Sequence, residues 1–160
     1  MLAKSESPAE VLLVRRVLEV GAARLAIKNA TLQDNEIITE IWKQKKRFAL
    51  EQRFEEYLDI AEDLHLALAR ASKSEIVVAL LAKVLKTIHQ PLWRTMRIAY
   101  YNQDPGRIHE MLDVHERIVE AFLRRDTEGL TSALEAHFDL QIDQLYRREP
   151  LEGGRSEDKS

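Results

Sequence analysis

The sequence contains no cysteine, which excludes disulfide bonds and metal sites built on thiolates. Proline and glycine are scarce, with four and five in 160 residues, and no stretch sustains the alternating apolar pattern of a strand. No apolar run approaches the roughly 20 residues that a membrane-spanning helix needs. Because the apolar residues instead recur at helical spacing along the chain, we predict an all-α protein.

The charge balance gives no bulk reason to expect binding to nucleic acid or to a membrane, since the net charge is −3 and the pI is near 6.0. The first seven residues are polar and do not resemble a secretion signal. We therefore expect a cytoplasmic location. Hydrophobic residues make up 45% of the chain, which is enough for the core of a single domain.

Apolar spacing and capping residues predict about six helices. The first covers 9–29 after Pro8, and the second opens at a capping box formed by Thr31 and Asp34. The third covers about 50–71. The fourth helix is expected to start near Ser74, where Ser72 and Glu75 resemble a second capping box, and Pro91 should kink or stop it. The last two helices are expected to start at Asp104 with Pro105 and at Asp126. The last helix should end near Arg148.

The second and fourth predicted helices each carry an extended apolar face. On the second helix we predict that Ile37, Ile38, Ile41, Trp42 and Phe48 are buried. Its basic run, Lys43, Lys45, Lys46 and Arg47, is interpreted as a solvated face near the helix C-terminus. On the fourth helix the predicted apolar face is Ile76, Val77, Leu80, Leu81, Val84, Leu85 and Ile88.

Three of the five histidines lie on the predicted inward faces of three different helices: His65, His115 and His137. His89 and His109 fall outside the apolar stripes and are predicted to be surface residues. A single histidine on an apolar face is usually a hydrogen-bonded core residue. Burying three imidazoles together is costly without partners, and a shared divalent metal is one way to satisfy them.

Glu62 precedes His65 by three residues and is therefore its neighbour on the helix surface. The Glu-x-x-His pairing occurs in the metal sites of helical bundles. It occurs here once, which argues against a ferritin-like di-iron oxidase, since such a site needs it twice. Glu62 remains the candidate carboxylate ligand beside the three histidines.

Three stretches resemble the FadR C-terminal domain (FCD) of GntR-family transcriptional regulators. Arg15 to Ala26 contains Arg-x-x-Leu-Glu followed by Ala-Ala-x-Leu-Ala, which is similar to the first-helix signature of that family. Leu64 to Ser72 resembles its Phe-His motif, and the spacing of His115, Ile118, Ala121, Phe122, Asp126 and His137 resembles its last two helices. The resemblance covers residues from about 10 to 146.

The resemblance implies an antiparallel helical bundle of six to seven helices that forms homodimers and binds a small carboxylic acid effector. Many members hold a divalent metal, such as Zn, Ni or Mn, through one aspartate and three histidines. The histidines correspond to His65, His115 and His137, but the aspartate position is Ala61. Glu62, water or the effector itself would then complete the site.

Arg15 lies in the first-helix signature, where the resemblance implies that it can pair with an effector carboxylate. The alternative interpretation is a structural ion pair with Glu19, which follows it by one helical turn. Both interpretations stay open on the sequence alone.

The domain organisation that we expect is a linker remnant at 1–8, the effector-binding domain at 9–148, and a disordered tail at 149–160. No winged-helix module is recognised before the domain, and we favour a truncated piece of a longer regulator over a stand-alone sensor. DNA binding is then expected only through a winged helix that is absent from this sequence.

Two other classes of protein share the histidine pattern. One is a helical-bundle metalloenzyme, a hydrolase or oxidase with an open coordination position and Glu62 as a general base. The other is a helical interaction module whose histidines are merely packed. The family resemblance favours a regulator over an enzyme.

Overall fold

Seven α-helices make up the fold in the computed structural model, which describes residues 7–86 and 90–146. They are α1 (Pro8–Asn29), α2 (Leu32–Leu50), α3 (Phe54–Ala71), α4 (Glu75–Leu85), α5 (Pro91–Gln103), α6 (Ile108–Leu123) and α7 (Thr127–Tyr146). A short 3-10 turn, Pro105–Arg107, precedes α6. No strand occurs in this part of the chain, so the predicted all-α class is confirmed.

Side-chain caps start three of the helices as their sequences predict. Thr31 Oγ1 accepts from the Asp34 amide at 3.2 Å while Asp34 Oδ2 accepts from the Thr31 amide at 2.7 Å, which confirms the capping box. Ser74 Oγ accepts from the amide of Val77 at 3.4 Å, so α4 starts near Ser74 as predicted. The predicted capping box of Ser72 and Glu75 is wrong, because Ser72 ends α3 and its hydroxyl donates to the carbonyl of Ala69. Asp126 Oδ1 accepts from the amide of Gly129 at 2.9 Å and so begins α7.

The boundary between α2 and α3 differs from the prediction, which started the third helix at about 50. Gln52 has a φ of 57°, and the Arg53 amide donates to the carbonyl of Phe48 at 2.8 Å, which closes α2 in the way a left-handed residue after a helix does. Glycine usually marks this position, and none is present here. Similarly, Asp104 caps the 3-10 turn, through Gly106, rather than α6 itself.

All seven helices contribute residues to the wall of the interior that contains the histidines. The first helix packs against α3, α4 and α7, the second packs against α3 and α6, and α6 packs against α7. Consecutive helices joined by short turns lie antiparallel, as in other bundles. Fully buried apolar side chains from these helices fill the core, among them Ile38, Leu64, Met111, Ile118, Phe122 and Phe138.

Three apolar side chains that were expected on inward faces are exposed instead. Ile37 is 46% exposed, Ile76 74% and Leu80 49%. The fourth helix contacts α1 and α3 through one narrow face that contains Leu81 and Leu85, so its opposite face points away from the core. A period of about 3.6 residues identifies a stripe but not how wide the contact is.

The predicted linker and tail fall largely outside the described residues, as do Ile88, His89 and Arg148. Pro8 lies in the first turn of α1, as predicted. Among the described helices, none combines the length and the apolar composition that crossing a membrane requires.

Candidate functional site

Three imidazoles converge in the interior, one each from α3, α6 and α7. His65, His115 and His137 are all buried, and each offers a ring nitrogen within 4.8 Å of those of the other two. Their ring centroids are 4.7 to 5.7 Å apart. The predicted inward positions of these histidines are therefore confirmed, and His109 is exposed as predicted.

His65 is bound to a carboxylate that the sequence argument did not assign to it. Its Nδ1 lies 2.5 Å from Oε2 of Glu19, on the neighbouring helix α1. The other oxygen of Glu19 accepts from Nε of Arg15 at 2.9 Å. Glu19 is buried, and burial acts to raise its pKa, but Arg15 and His65 together lower the pKa to about 2. Glu19 is therefore ionised, and it accepts from both neighbours.

Arg15 confirms one of the two interpretations that the sequence left open, the structural ion pair, whereas its pairing with an effector carboxylate stays a prediction. It forms the buried ion pair with Glu19, and it also lines the cavity beside the histidines. Its Nη1 donates to Oε1 of Gln141 at 3.4 Å. The guanidinium is thus fixed at the cavity wall by α1 and α7 together.

Hydrogen bonds determine which ring nitrogen carries the proton in His65 and in His115. An ionised carboxylate only accepts, so His65 carries its proton on Nδ1 and has a lone pair on Nε2. His115 Nδ1 lies 2.8 Å from the carbonyl oxygen of Met111, which likewise places its proton on Nδ1. Both rings therefore have their lone pair on Nε2, which is the atom that accepts a hydrogen bond or binds a metal.

Lys45 is the second residue that sequence reasoning missed. The basic run of α2 was interpreted as a solvated face, and for Lys45 that prediction is wrong because its side chain is fully buried. Its Nζ donates to Nε2 of His115 at 3.1 Å and lies 5.0 Å from the ring centroid of Tyr57. Lys43 and Arg47 are exposed as predicted.

The sequence contains a pattern that indicates the burial of Lys45. It occupies one helical stripe with Ile38, Trp42 and Ala49, all of which are buried. A lysine in register with such a stripe either directs its ammonium back to solvent or is buried with its charge. The structure shows the second arrangement.

His137 differs from the other two histidines because neither of its ring nitrogens has a hydrogen-bond partner among the described residues. Burial lowers its pKa well below 6.5, and the neighbouring His115 and His65 act in the same direction. A fully buried imidazole with two unsatisfied nitrogens is costly, and such atoms commonly mark a place where a ligand binds.

The cavity around these groups holds more cationic than anionic side chains. Arg15, Lys45, Arg94 and Arg97 all line it. Arg94 forms an ion pair with Asp59 at 2.7 Å. Burial lowers the pKa of Lys45 well below 10.5, and Arg97 and Arg15 add to the effect, so Lys45 lacks sufficient negative charge nearby.

Ala61 and Glu62 also line the cavity, whose volume is about 30 Å³. Ala61 contributes no oxygen at the position where the resemblance implies an aspartate. The group of closely spaced candidate metal ligands consists of the three histidines. Metal binding by Glu62 therefore remains a prediction.

The described side chains fit a divalent metal only in part. Three neutral imidazoles are suitable ligands, and Glu19 and the Met111 carbonyl hold two of them in the required tautomer. However, Nε2 of His115 already accepts from Lys45, and an added dication would lie among side chains that are already cationic. The donor set fits a metal, whereas the charge around it fits an anion.

Comparison with known proteins finds a matching family model, a curated relative and a solved structure with the same fold. The FCD domain family model matches residues 10–140. The transcriptional regulator LutR of Bacillus subtilis (strain 168), an HTH-type protein, is 29% identical over 137 residues, which cover 86% of this chain and 61% of LutR. The structure of Escherichia coli McbR/YncC superimposes with a TM-score of 0.73 at 21% identity, over 86% of this chain and 63% of the other. The chain thus spans less than two thirds of the length of LutR and of McbR/YncC.

Proposed function

Because the chain belongs to the FCD domain family, we propose that it is the effector-binding domain of a GntR-family transcriptional regulator. The observation that carries this proposal is the buried cavity lined by three imidazoles and an excess of cations, in which His137 has no partner. LutR is named as a transcriptional regulator, which supports a regulatory role rather than an enzymatic one.

The ligand class that fits this cavity is a small carboxylate. A carboxylate accepts several hydrogen bonds, and the wall offers donors from Arg15, Lys45 and Arg97 together with an imidazole N–H of His137. An apolar or cationic ligand would leave Lys45 without a negatively charged partner at hydrogen-bond distance.

A divalent metal, Zn, Ni or Mn, is the second arrangement that the sequence predicts for the same cavity. His65, His115 and His137 would hold it, and it would supply a positive charge to which an effector carboxylate could bind. The three donor nitrogens support this arrangement, whereas the lysine beside His115 opposes it.

Regulation would follow if the effector prefers one of two arrangements of a dimer. Exposed apolar residues on two helices in contact with each other support a homodimer surface: Leu13 and Val17 on α1, and Ile76 on α4. DNA would be bound by a winged-helix module of the complete regulator. The described residues include no such module.

Calorimetric titration of the purified chain with a panel of two- to six-carbon mono- and dicarboxylates tests this function. Each titration is performed on chelator-treated protein and again with zinc added. We expect saturable binding of at least one acid, and no turnover of ester or phosphoester substrates. Absence of binding under both conditions would contradict the proposed function, and substrate turnover would favour the metalloenzyme alternative.

A further inference from the structure

A buried lysine is part of the three-histidine cluster. Lys45 reaches the interior from α2, which supplies none of the three histidines, and its Nζ lies 3.1 Å from Nε2 of His115. This nitrogen of His115 is the one left free by the hydrogen bond between Nδ1 and the Met111 carbonyl. Lys45 therefore donates to the same lone pair of His115 that a bound metal would need.

Lys45 forms no ion pair with a carboxylate among the described residues. Its hydrogen-bond partner is a neutral imidazole, and Arg15 and Arg97 add further positive charge nearby. Glu19 is the opposing charge that acts on it, but the two oxygens of Glu19 are bound to Arg15 and His65. A buried amine in these surroundings is satisfied when a bound anion supplies the missing acceptor.

We propose that Lys45 occupies the place of a divalent metal in this cavity and binds the effector carboxylate directly through Nζ, together with His137. This inference rests on the proposed function, namely that the cavity binds a small carboxylate. Ala61 agrees with it, because the cavity wall has no oxygen ligand at that position. A metal and Lys45 would exclude each other, since both require the lone pair on Nε2 of His115.

Measuring zinc binding by the full chain tests whether Lys45 excludes a metal from the cavity. Chelator-treated protein is titrated with zinc chloride in competition with a chromogenic chelator, and the zinc retained after gel filtration is measured by plasma mass spectrometry. We expect wild-type protein to retain far less than stoichiometric zinc. Lys45→Met, which removes the amine at similar side-chain length, should bind zinc more tightly by on the order of tenfold or more. Lys43→Met is the matched control because Lys43 is exposed on the same helix.

Measuring acetate binding tests the direct contact between Lys45 and a carboxylate. The imidazole nitrogen resonances of zinc-free protein are followed by NMR during titration with sodium acetate. We expect saturable shifts of the histidine signals in wild type and in Lys43→Met, and a loss of affinity of about tenfold or more in Lys45→Met, the loss expected when a charge-assisted hydrogen bond is removed. Lys45→Gln, which retains an N–H donor without the ammonium charge, replaces Lys45→Met if circular dichroism shows that the methionine variant is unfolded.

The outcomes separate this inference from the function on which it rests. Stoichiometric zinc in wild type, with an affinity unchanged by Lys45→Met, overturns the inference. Acetate shifts that require zinc also overturn the inference but leave the proposed function intact. No response to acetate in any variant, with or without zinc, overturns both.

Discussion

Glu19 on α1 accepts a hydrogen bond from His65 on α3, with 2.5 Å between Oε2 and Nδ1. This contact fixes the tautomer of His65 and leaves Nε2 as the nitrogen available to the cavity. The same carboxylate holds Arg15 through its other oxygen. Glu19 therefore orients two residues of the cavity wall without being one of the residues that line it.

Replacing Glu19 with glutamine should destabilise the fold strongly. The variant would leave the buried Arg15 guanidinium without its ionic partner, and loss of one member of a buried ion pair typically costs about 3–5 kcal/mol. Urea unfolding followed by circular dichroism measures the change in the free energy of unfolding.

Glu10→Gln is the matched control for that variant, since Glu10 is an exposed acidic residue on the same helix. It should change the free energy of unfolding by less than about 0.5 kcal/mol. Equal effects of the two substitutions would show that Glu19 is not essential to the buried network.

The sequence predicted the inward positions of the three histidines because each of them falls on the apolar stripe of its own helix. It also predicted the capping residues, since Thr31 and Asp126 act on the amides of their own helix. These features depend on local spacing. Contacts between helices, such as Glu19 with His65, depend on how α1 and α3 pack together.

Lys45 shows where reasoning from composition fails. A run of basic residues is usually solvated, and this holds for Lys43 and Arg47, which are exposed. Lys45 is buried because the stripe of Ile38, Trp42 and Ala49 includes its position. Its burial is costly for folding, and the sequence gives no measure of whether a ligand offsets that cost.

The stability of the protein should fall as the pH is lowered through 6.5. Burial lowers the pKa of His65, His115 and His137 from 6.5. Below this value the unfolded chain takes up protons that the folded protein does not, so the stabilisation is present above pH 6.5 and is lost as the pH falls towards the folded pKa values. Each histidine contributes up to about 1.4 kcal/mol per pH unit.

Urea unfolding at pH values above and below 6.5 checks this pH dependence. His109→Gln is the control, because His109 is exposed and its removal should leave the slope nearly unchanged. A second loss of stability is expected at lower pH, between 4.5 and about 2, as Glu19 is protonated. A free energy of unfolding that does not change across pH 6.5 would contradict the buried neutral state of the histidines.

Arg97 should contribute to carboxylate affinity more than to stability. Burial acts to lower its pKa, but the neighbouring Tyr101 and Tyr57 raise it, so the guanidinium stays charged beside the cavity. Arg97→Gln should weaken acetate binding about tenfold or more, the cost of losing a hydrogen bond to a charged group. Calorimetry measures the affinity.

Arg24→Gln provides the control for Arg97, since Arg24 is an exposed arginine outside the cavity. Its acetate affinity should equal that of wild type. If both arginine variants lose affinity equally, the effect comes from overall charge rather than from a contact in the cavity.

His137 and His115 should respond in opposite directions to the same substitution. His137→Leu removes two buried nitrogens that have no partner and should stabilise the ligand-free protein, by an amount on the order of 1–3 kcal/mol. His115→Leu should destabilise it, because the Met111 carbonyl and the buried amine of Lys45 would each lose a partner. Both variants should lose carboxylate binding. Thermal unfolding of chelator-treated protein measures the two shifts, and destabilisation by His137→Leu would show that His137 has a structural role, so that its unpartnered nitrogens would not mark a ligand site.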